Sequence, residues 1–276
     1  MKELAVSLIQ PYVSNENEKN FEHIEKLIEE ASQNNPDIIC LPERWFFLDF
    51  LNTKIDQLFQ HQRGIQYQYV KQWAKEYNIP IISGGIWEKH EEHLRPFVTS
   101  YYFNSQGQEL FHQNKIHLYG LENEVLNAGK KLQVFHDLKL DITFSVLICF
   151  DLTISSTLTD LAANRGAELI FSPTLIRETG MKNYKIYLQA RALENRIPIA
   201  SCNSIFHQMD RNFVGQSKII HFKEGSYSPA QLLIEEAPKK PYILSKKINL
   251  SFPKKMRKRR TNEKKESSQI DVISNF

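Results

Sequence analysis

The stretch Ile142-Thr143-Phe144-Ser145-Val146-Leu147-Ile148-Cys149-Phe150-Asp151 decides how this chain is read. Its mostly apolar first part makes a buried strand of ordinary length, and the run ends on a cysteine. A hydroxyl-rich segment follows, with Thr153, Ser155, Ser156 and Thr157. Leu158, Leu161, Ala162 and Arg165 then fall at helical spacing. A thiol at such a strand-to-helix corner meets converging backbone N–H groups and a helix N-terminus that favours negative charge. That suits a nucleophile. An isolated cysteine is more commonly a small buried core thiol, so the rest of the chain has to decide.

Downstream, residues 168–172 form an apolar strand closed by Pro173. A helix covers about residues 181–195 (Tyr184, Leu188, Arg191, Ala192), and residues 197–202 are another apolar strand. Residues 218–222 and 232–234 read as outer strands, and the pattern ends past Pro253. Upstream, residues 4–9 read as a buried strand. Asn15 and Glu18 open a helix carrying Phe21, Ile24, Leu27, Ile28 and Ala31, which Asn34-Asn35-Pro36 stops. Residues 37–41 form a second short strand that ends at Pro42 and Glu43. Ile65, Tyr69, Trp73 and Tyr77 mark a second helix. Residues 79–86 form a strand with Gly84-Gly85 near its end, read as a bulge or close backbone approach and not as a phosphate loop. Residues 97–104 and 109–112 flank Ser105-Gln106-Gly107 as a hairpin. The long connection from 114 to 131 has the length of a functional or disordered loop. There are no short tandem repeats. This order predicts an α/β sandwich with both parallel and antiparallel pairing and with helices on the outer faces.

The 276 residues show no break in composition before about residue 250, so one domain over residues 1–250 is expected. The net charge of +3 is unevenly placed. Residues 254–265 hold eight Lys and Arg against the single acid Glu263, a local +7 that leaves −4 on the rest. The expectation is a mildly acidic body and a basic, flexible tail over residues 251–276. No aromatic residue falls between Lys254 and Lys265 to stack a base, so nucleic acid is not an expected partner. Three cysteines do not make a disulfide framework. The opening run 4–9 is too short for a signal peptide, and no run reaches the length of a membrane span. A cytoplasmic location with no membrane partner is expected.

Three polar residues share one placement. Glu43 follows the second strand, Lys115 follows the hairpin's second strand, and Cys149 follows the strand quoted first. Ligands in α/β sheets gather beyond the carboxyl ends of strands, so the three could meet in one cleft. Their types fit one reaction. A thiolate attacks a carbonyl or nitrile carbon, a carboxylate takes and returns protons, and an ammonium stabilises the oxyanion. Taken singly they read as a surface acid, a solvated lysine and a core thiol.

Several strings extend this set: Leu41-Pro42-Glu43, then Asn114-Lys115-Ile116-His117-Leu118-Tyr119 with Glu122, Glu124 and Ala128-Gly129, then Leu147-Ile148-Cys149-Phe150-Asp151. Arg165-Gly166-Ala167-Glu168, Ser172-Pro173 and Gln189-Ala190-Arg191-Ala192-Leu193-Glu194-Asn195-Arg196 continue it. In this order, over about residues 3–235, the chain resembles the nitrilase superfamily, carbon–nitrogen hydrolases with a Glu–Lys–Cys triad. The resemblance implies an α-β-β-α sandwich with mixed sheets that packs into a four-layer homodimer or higher oligomer through the helical face behind the nucleophile. It implies Cys149 as nucleophile, Glu43 as general base and then acid, and Lys115 as oxyanion stabiliser, helped by the backbone N–H of Phe150. Glu124 would be a second glutamate positioning the site, although Glu122 lies close by. Thr174 and Leu175 would line the pocket on family analogy. Trp45 beside Glu43 could line it too, or serve only as core.

The expected activity is hydrolysis of a small linear amide or carbamoyl compound through a cysteine thioester, with no cofactor and no metal. Alternatives are nitrile hydrolysis by the same triad, or an inactive ligand-binding or scaffold relative. His117 reads as a structural loop histidine, Cys40 and Cys202 as core, and His90-Glu91-Glu92-His93 lacks the spacing of a zinc helix. The resemblance fails at Thr153-Ile154-Ser155-Ser156, where many members carry an Arg-Phe-Pro-Glu-like segment. This leaves pocket shape and substrate open, and no carboxylate-binding arginine is carried over from relatives.

Overall fold

The computed structural model describes residues 2–49, 58–208 and 211–261. The first half of the chain runs β1 (Glu3–Gln10), α1 (Asn17–Ser32), β2 (Ile38–Cys40), β3 (Gln60–His61), α2 (Ile65–Glu76), β4 (Ile81–Ile82), β5 (Ile86–Lys89), β6 (Phe97–Phe103), β7 (Glu109–Asn114) and α3 (Glu122–Val125). The second half runs β8 (Phe135–Asp137), β9 (Ile142–Val146), α4 (Phe150–Thr153), α5 (Thr157–Asn164), β10 (Leu169–Thr174), α6 (Met181–Asn195) and β11 (Ile199–Asn203). It closes with β12 (Ile205–Gln208), β13 (Arg211–Val214), β14 (Lys218–Phe222), β15 (Leu232–Glu236), β16 (Tyr242–Asn249) and α7 (Ser251–Thr261).

Two mixed sheets result. One has the order β16-β1-β2-β4-β6-β5-β3 with β7 also on β6. The other has the order β15-β14-β11-β10-β9-β8. β1, β2 and β4 run parallel, as do β9, β10 and β11, while β16, β6, β8 and β14 join them antiparallel. The period of two along a strand sends alternate side chains to opposite faces. Val6, Leu8, Ile38 and Ile82 of the first sheet therefore meet Phe144, Val146, Phe171 and Ala200 of the second in one inter-sheet core. On the far face of the first sheet, Ile9, Ile39 and Ile81 pack under Ile24 and Ile28 of α1 and Val70 and Trp73 of α2. On the far face of the second, Leu147, Ile170 and Ile199 pack under Leu158 and Ala162 of α5, Leu188 and Ala192 of α6, and Phe252 and Met256 of α7. The layers are thus α-β-β-α, as expected from the sequence. The central strands are buried on both faces, which is why they read as continuous apolar runs.

Two elements differ from the sequence reading. β16 pairs with the whole of β1, yet its sequence carries Lys246 and Lys247 and gave no strand signal. It is an edge strand with one face toward solvent, where lysines discourage further pairing. The basic run expected as a flexible tail opens as α7. Phe252 and Met256 are buried there, Lys254 Nζ donates to Glu168 Oε1 at 2.9 Å, and Arg257 Nη2 donates to Ala167 O at 2.7 Å. Two apolar residues four apart on one helical face were masked by the surrounding charge. Residues 262–276 lie outside the described residues. No helix among those described is long and apolar enough to cross a membrane.

Candidate active site

Glu43 reaches the seam between the sheets because the backbone after β2 can pass very close to a neighbour. Gly84 has φ +73, and a Cβ there would stand 1.9 Å from Pro42 O. A Cβ on Gly85 would stand 2.9 Å from Glu43 Cγ. The glycine pair is therefore a site of close backbone approach. Lys115 follows β7 directly, its backbone N–H donating to Val98 O at 2.9 Å. Its side chain is 1% exposed, and Nζ donates to Glu43 Oε1 at 2.7 Å and to Glu122 Oε2 at 2.8 Å. Glu122 is held by the Tyr119 backbone N–H, which donates to Oε2 at 2.8 Å. Its neighbour Glu124 is exposed. Of the two glutamates, Glu122 rather than Glu124 meets the lysine. A one-turn helix, α3, can aim only one of two residues spaced by two toward Lys115. The irregular path from Lys115 to α3 gives a sequence reader no way to choose between them.

Cys149 stands between β9 and α4 with φ +50 and ψ −101, a conformation that a non-glycine residue adopts at a cost of about 1–3 kcal/mol. Two contacts hold it there. Its backbone N–H donates to Pro173 O at 2.9 Å, beside the end of β10. Asp151, fully buried, accepts from the backbone N–H of Ile148 at 3.2 Å, Ile116 at 3.1 Å and His117 at 2.6 Å. One carboxylate thus ties the Cys149 corner to the loop that begins with Lys115. The sequence reading assigned no such role to Asp151, since two of its three donors, Ile116 and His117, lie 35 and 34 residues away. His117 Nδ1 lies 3.2 Å from Asp151 Oδ1, and the nearby carboxylate raises the imidazole's affinity for a proton.

The charges of the cluster act on one another. Burial pushes the Cys149 thiol up to about 12. The Glu43 charge adds to this, while Lys115, the Leu175 backbone N–H and the Thr174 hydroxyl favour the thiolate. The cysteine therefore rests as a thiol. For Lys115 burial works against the ammonium, but Glu43, Cys149 and Glu122 outweigh it and hold the group charged. Burial raises Glu122, and Glu43 adds to that, against the pull of Lys115.

The expected pocket residues separate. Phe150 and Tyr119 meet edge to face with ring centroids 5.1 Å apart. Thr174 is fully buried at the end of β10, near the sulfur, and its Oγ1 has no aligned hydrogen-bond partner in the resting arrangement. Leu175 is half-buried and packs against Phe206 and Phe213. Trp45 is not a pocket residue. It is 1% exposed, its Nε1 donates to Ser83 O at 2.8 Å, and it packs on Phe21 and Trp73 in the outer core. An indole two residues past an inward-facing Glu43 is drawn instead to the α1–α2 side, where it buries its large apolar area. Cys40 and Cys202 are buried and unpaired, with Cys202 Sγ 3.1 Å from Cys40 O. Among the described residues no group of His, Cys, Asp and Glu is arranged to hold a metal ion.

The comparisons agree with this geometry. The Xenopus laevis omega-amidase NIT2-A is 27% identical to the chain, over 91% of each protein. A 2-oxoglutaramate amidase of Bacillus subtilis is 28% identical over 73% of this chain and 76% of its own. Among solved structures, a carbon–nitrogen hydrolase from Helicobacter pylori G27 superposes with a TM-score of 0.83 at 16% identity, covering 97% of this chain and 96% of that one. The sequence profile named Carbon-nitrogen hydrolase matches residues 4–224, a span that takes in all three of Glu43, Lys115 and Cys149. The chain belongs to the carbon–nitrogen hydrolase family.

Proposed function

We propose that the protein hydrolyses a small linear amide through a thioester on Cys149. The observation that carries this reading is the buried Lys115 ammonium shared between Glu43 and Glu122 beside a thiol at a strained strand-to-helix corner. In this mechanism substrate displaces water from the cluster, and Glu43 takes the thiol proton as sulfur attacks the carbonyl carbon. Lys115 and the Phe150 backbone N–H stabilise the oxyanion. Glu43 returns its proton to the departing amine, and a C–S bond replaces the C–N bond. Water, deprotonated by Glu43, then cleaves the thioester, so acid is released and the thiol reforms. Glu122 takes the positioning role that the resemblance assigned to Glu124, because it is the carboxylate on Lys115. Thr174 and Leu175 offer a hydroxyl and a backbone N–H to the sulfur as it becomes charged.

Relatives named as amidases support an amide in preference to a nitrile or carbamoyl compound. The test is ammonia release over a panel of short amides, carbamoyl amines and nitriles, with Cys149→Ala as control. Turnover by the native protein that disappears in Cys149→Ala is the expected result. Undiminished turnover in that variant would sink the nucleophile assignment.

Exposed Ile154, Leu161, Ile186 and Tyr187, at 50%, 47%, 57% and 42%, support a homodimer formed through α4, α5 and α6. Three unpaired cysteines support a reducing compartment such as the cytoplasm.

A further inference from the structure

The polar groups behind Cys149 extend past the sulfur's own contacts. Ile170 of β10 and Ile199 of β11 pack under α6. The period of two along a strand sends Ser172, Thr174 and Ser201 to that same face, with Ser172 opposite Ser201 in the parallel register. All three are buried. The layer under α6 is thus apolar over most of its length and lined by hydroxyls at the end nearest Cys149. Tyr184 shares the buried face of α6 with Leu188 and Ala192, and its hydroxyl lies 2.9 Å from Ser201 Oγ. The same phenol is within reach of the Ser172 and Thr174 hydroxyls. Neither of those has an aligned partner in the resting arrangement, which is a costly state for a buried hydroxyl. Thr174 is also the side chain whose hydroxyl reaches the Cys149 sulfur. Burial pushes the Tyr184 phenol up to about 12, so it keeps its proton at neutral pH.

We infer that Tyr184 is a positioning residue for the chemistry at Cys149: its hydroxyl, held by Ser201, turns the Thr174 hydroxyl so that Thr174 donates to the sulfur once the sulfur is charged. Each of these hydroxyls has one proton to give. With Ser201 donating to Tyr184 Oη, the phenol proton is left for Thr174 Oγ1, and the Thr174 proton is left for the thiolate. Hydrogen bonds in such a buried chain strengthen one another. No proton crosses the chain, since the thiol proton goes to Glu43. The effect falls where the thiolate forms, and again where the thioester is cleaved and the electron pair of the C–S bond returns to sulfur. The inference rests on Cys149 as the nucleophile and adds a residue of α6 that touches neither substrate nor sulfur.

The test follows iodoacetamide alkylation of Cys149 at about pH 9 by mass spectrometry of its peptide. Tyr184→Phe keeps the ring and its packing and should be alkylated about threefold or more slowly than native protein, because a poorly aimed Thr174 lowers the thiolate population. The intrinsic nucleophilicity of the thiolate rises at the same time, but only with a slope of about 0.4–0.5 against pKa, so the population decides. Thr174→Val should slow alkylation at least as much, and Thr174→Ser, which keeps a hydroxyl, by less. Tyr184→Phe added to Thr174→Val should change the rate by less than about twofold, because the phenol acts through Thr174. A native rate in folded Tyr184→Phe would overturn the inference. So would equal slowing by Tyr184→Phe with and without Thr174→Val, which is the outcome for a tyrosine that only packs. If Tyr184→Phe does not fold, Ser201→Ala decides in its place: slower alkylation supports the chain, and a native rate refutes it.

Alkylation needs no substrate, so it separates this inference from the hydrolysis reading. Slower alkylation in Tyr184→Phe, with no amide turned over by the native protein, would remove the reaction and keep Tyr184 as the residue that orients Thr174 toward Cys149. Amide turnover by the native protein, with a native alkylation rate in Tyr184→Phe, would keep the reaction and remove Tyr184 from it.

Discussion

Cys149 rests protonated because burial and the Glu43 charge outweigh Lys115, so its thiolate has to be generated in the presence of substrate. Direct alkylation by iodoacetamide should therefore keep rising with pH above about 9, past the range of a free thiol. Glu43→Gln tests the sign of the coupling. Removing a negative charge lowers the thiol's pKa, so alkylation at pH 8 should be faster than in the native protein. Under the proposed mechanism amide turnover should fall by about 10²- to 10⁴-fold, because its base is gone. Slower alkylation in Glu43→Gln would show that Glu43 does not act on Cys149. The second prediction separates the two glutamates of α3. Glu122→Gln breaks a charge-assisted contact to Lys115 and should cost roughly tenfold or more in kcat/KM. Glu124→Gln, at an exposed position, should stay within about twofold of native. The reverse order would return the positioning role to Glu124.

Among the elements, the meeting of β2 with the Gly84-Gly85 turn sets where Glu43 can point. Gly84 and Gly166 both have positive φ, but a Cβ on Gly84 meets Pro42 O at 1.9 Å while one on Gly166 meets nothing within 4 Å. Gly84→Ala should therefore destabilise the protein by about 3 kcal/mol or more and depress turnover, since Pro42 and Glu43 must move. Gly166→Ala should cost only about 1 kcal/mol, the price of backbone conformation alone. Urea unfolding of the two variants beside native protein decides, and equal losses would remove the steric argument. The Cys149 corner depends on elements in a similar way. Asp151 holds Ile116, His117 and Ile148 together only because β7 and β9 end side by side.

Across the whole molecule, the segments that begin β1 and α7 are tied to the second sheet through one buried acid. Glu168 accepts from Lys2 Nζ at 3.0 Å and Lys254 Nζ at 2.9 Å, and from the Thr143 backbone N–H at 3.0 Å. α7 covers this face with Phe252 and Met256. Burying each of those side chains is worth about 1.5–3 kcal/mol, so truncation after Leu250 should lower unfolding free energy by roughly 3–6 kcal/mol. A loss below about 0.5 kcal/mol would show α7 to be merely appended. Under the proposed mechanism hydrolysis should survive truncation under conditions where the protein remains folded, because α7 packs on the outer face of the second sheet with Leu147 and Ile170.

The sequence by itself determined the layers and the three strand ends. Apolar runs such as residues 4–9 and 142–148 are legible because strands buried on both faces have no polar side to dilute them. Glu43 and Cys149 are legible because each follows such a run, and Lys115 because it follows the second strand of a hairpin. Only the tertiary structure decided what depends on orientation or on distant backbone. It put Glu122 on the lysine, turned Trp45 into the outer core, and brought Asp151 to three N–H groups. It also gave the basic run an apolar side to pack as α7. Glu122 lies only seven residues from Lys115, but the irregular path between them hides which acid will face it; in the other cases a deciding partner lies far along the chain, where local spacing carries no information about which side chain will face it.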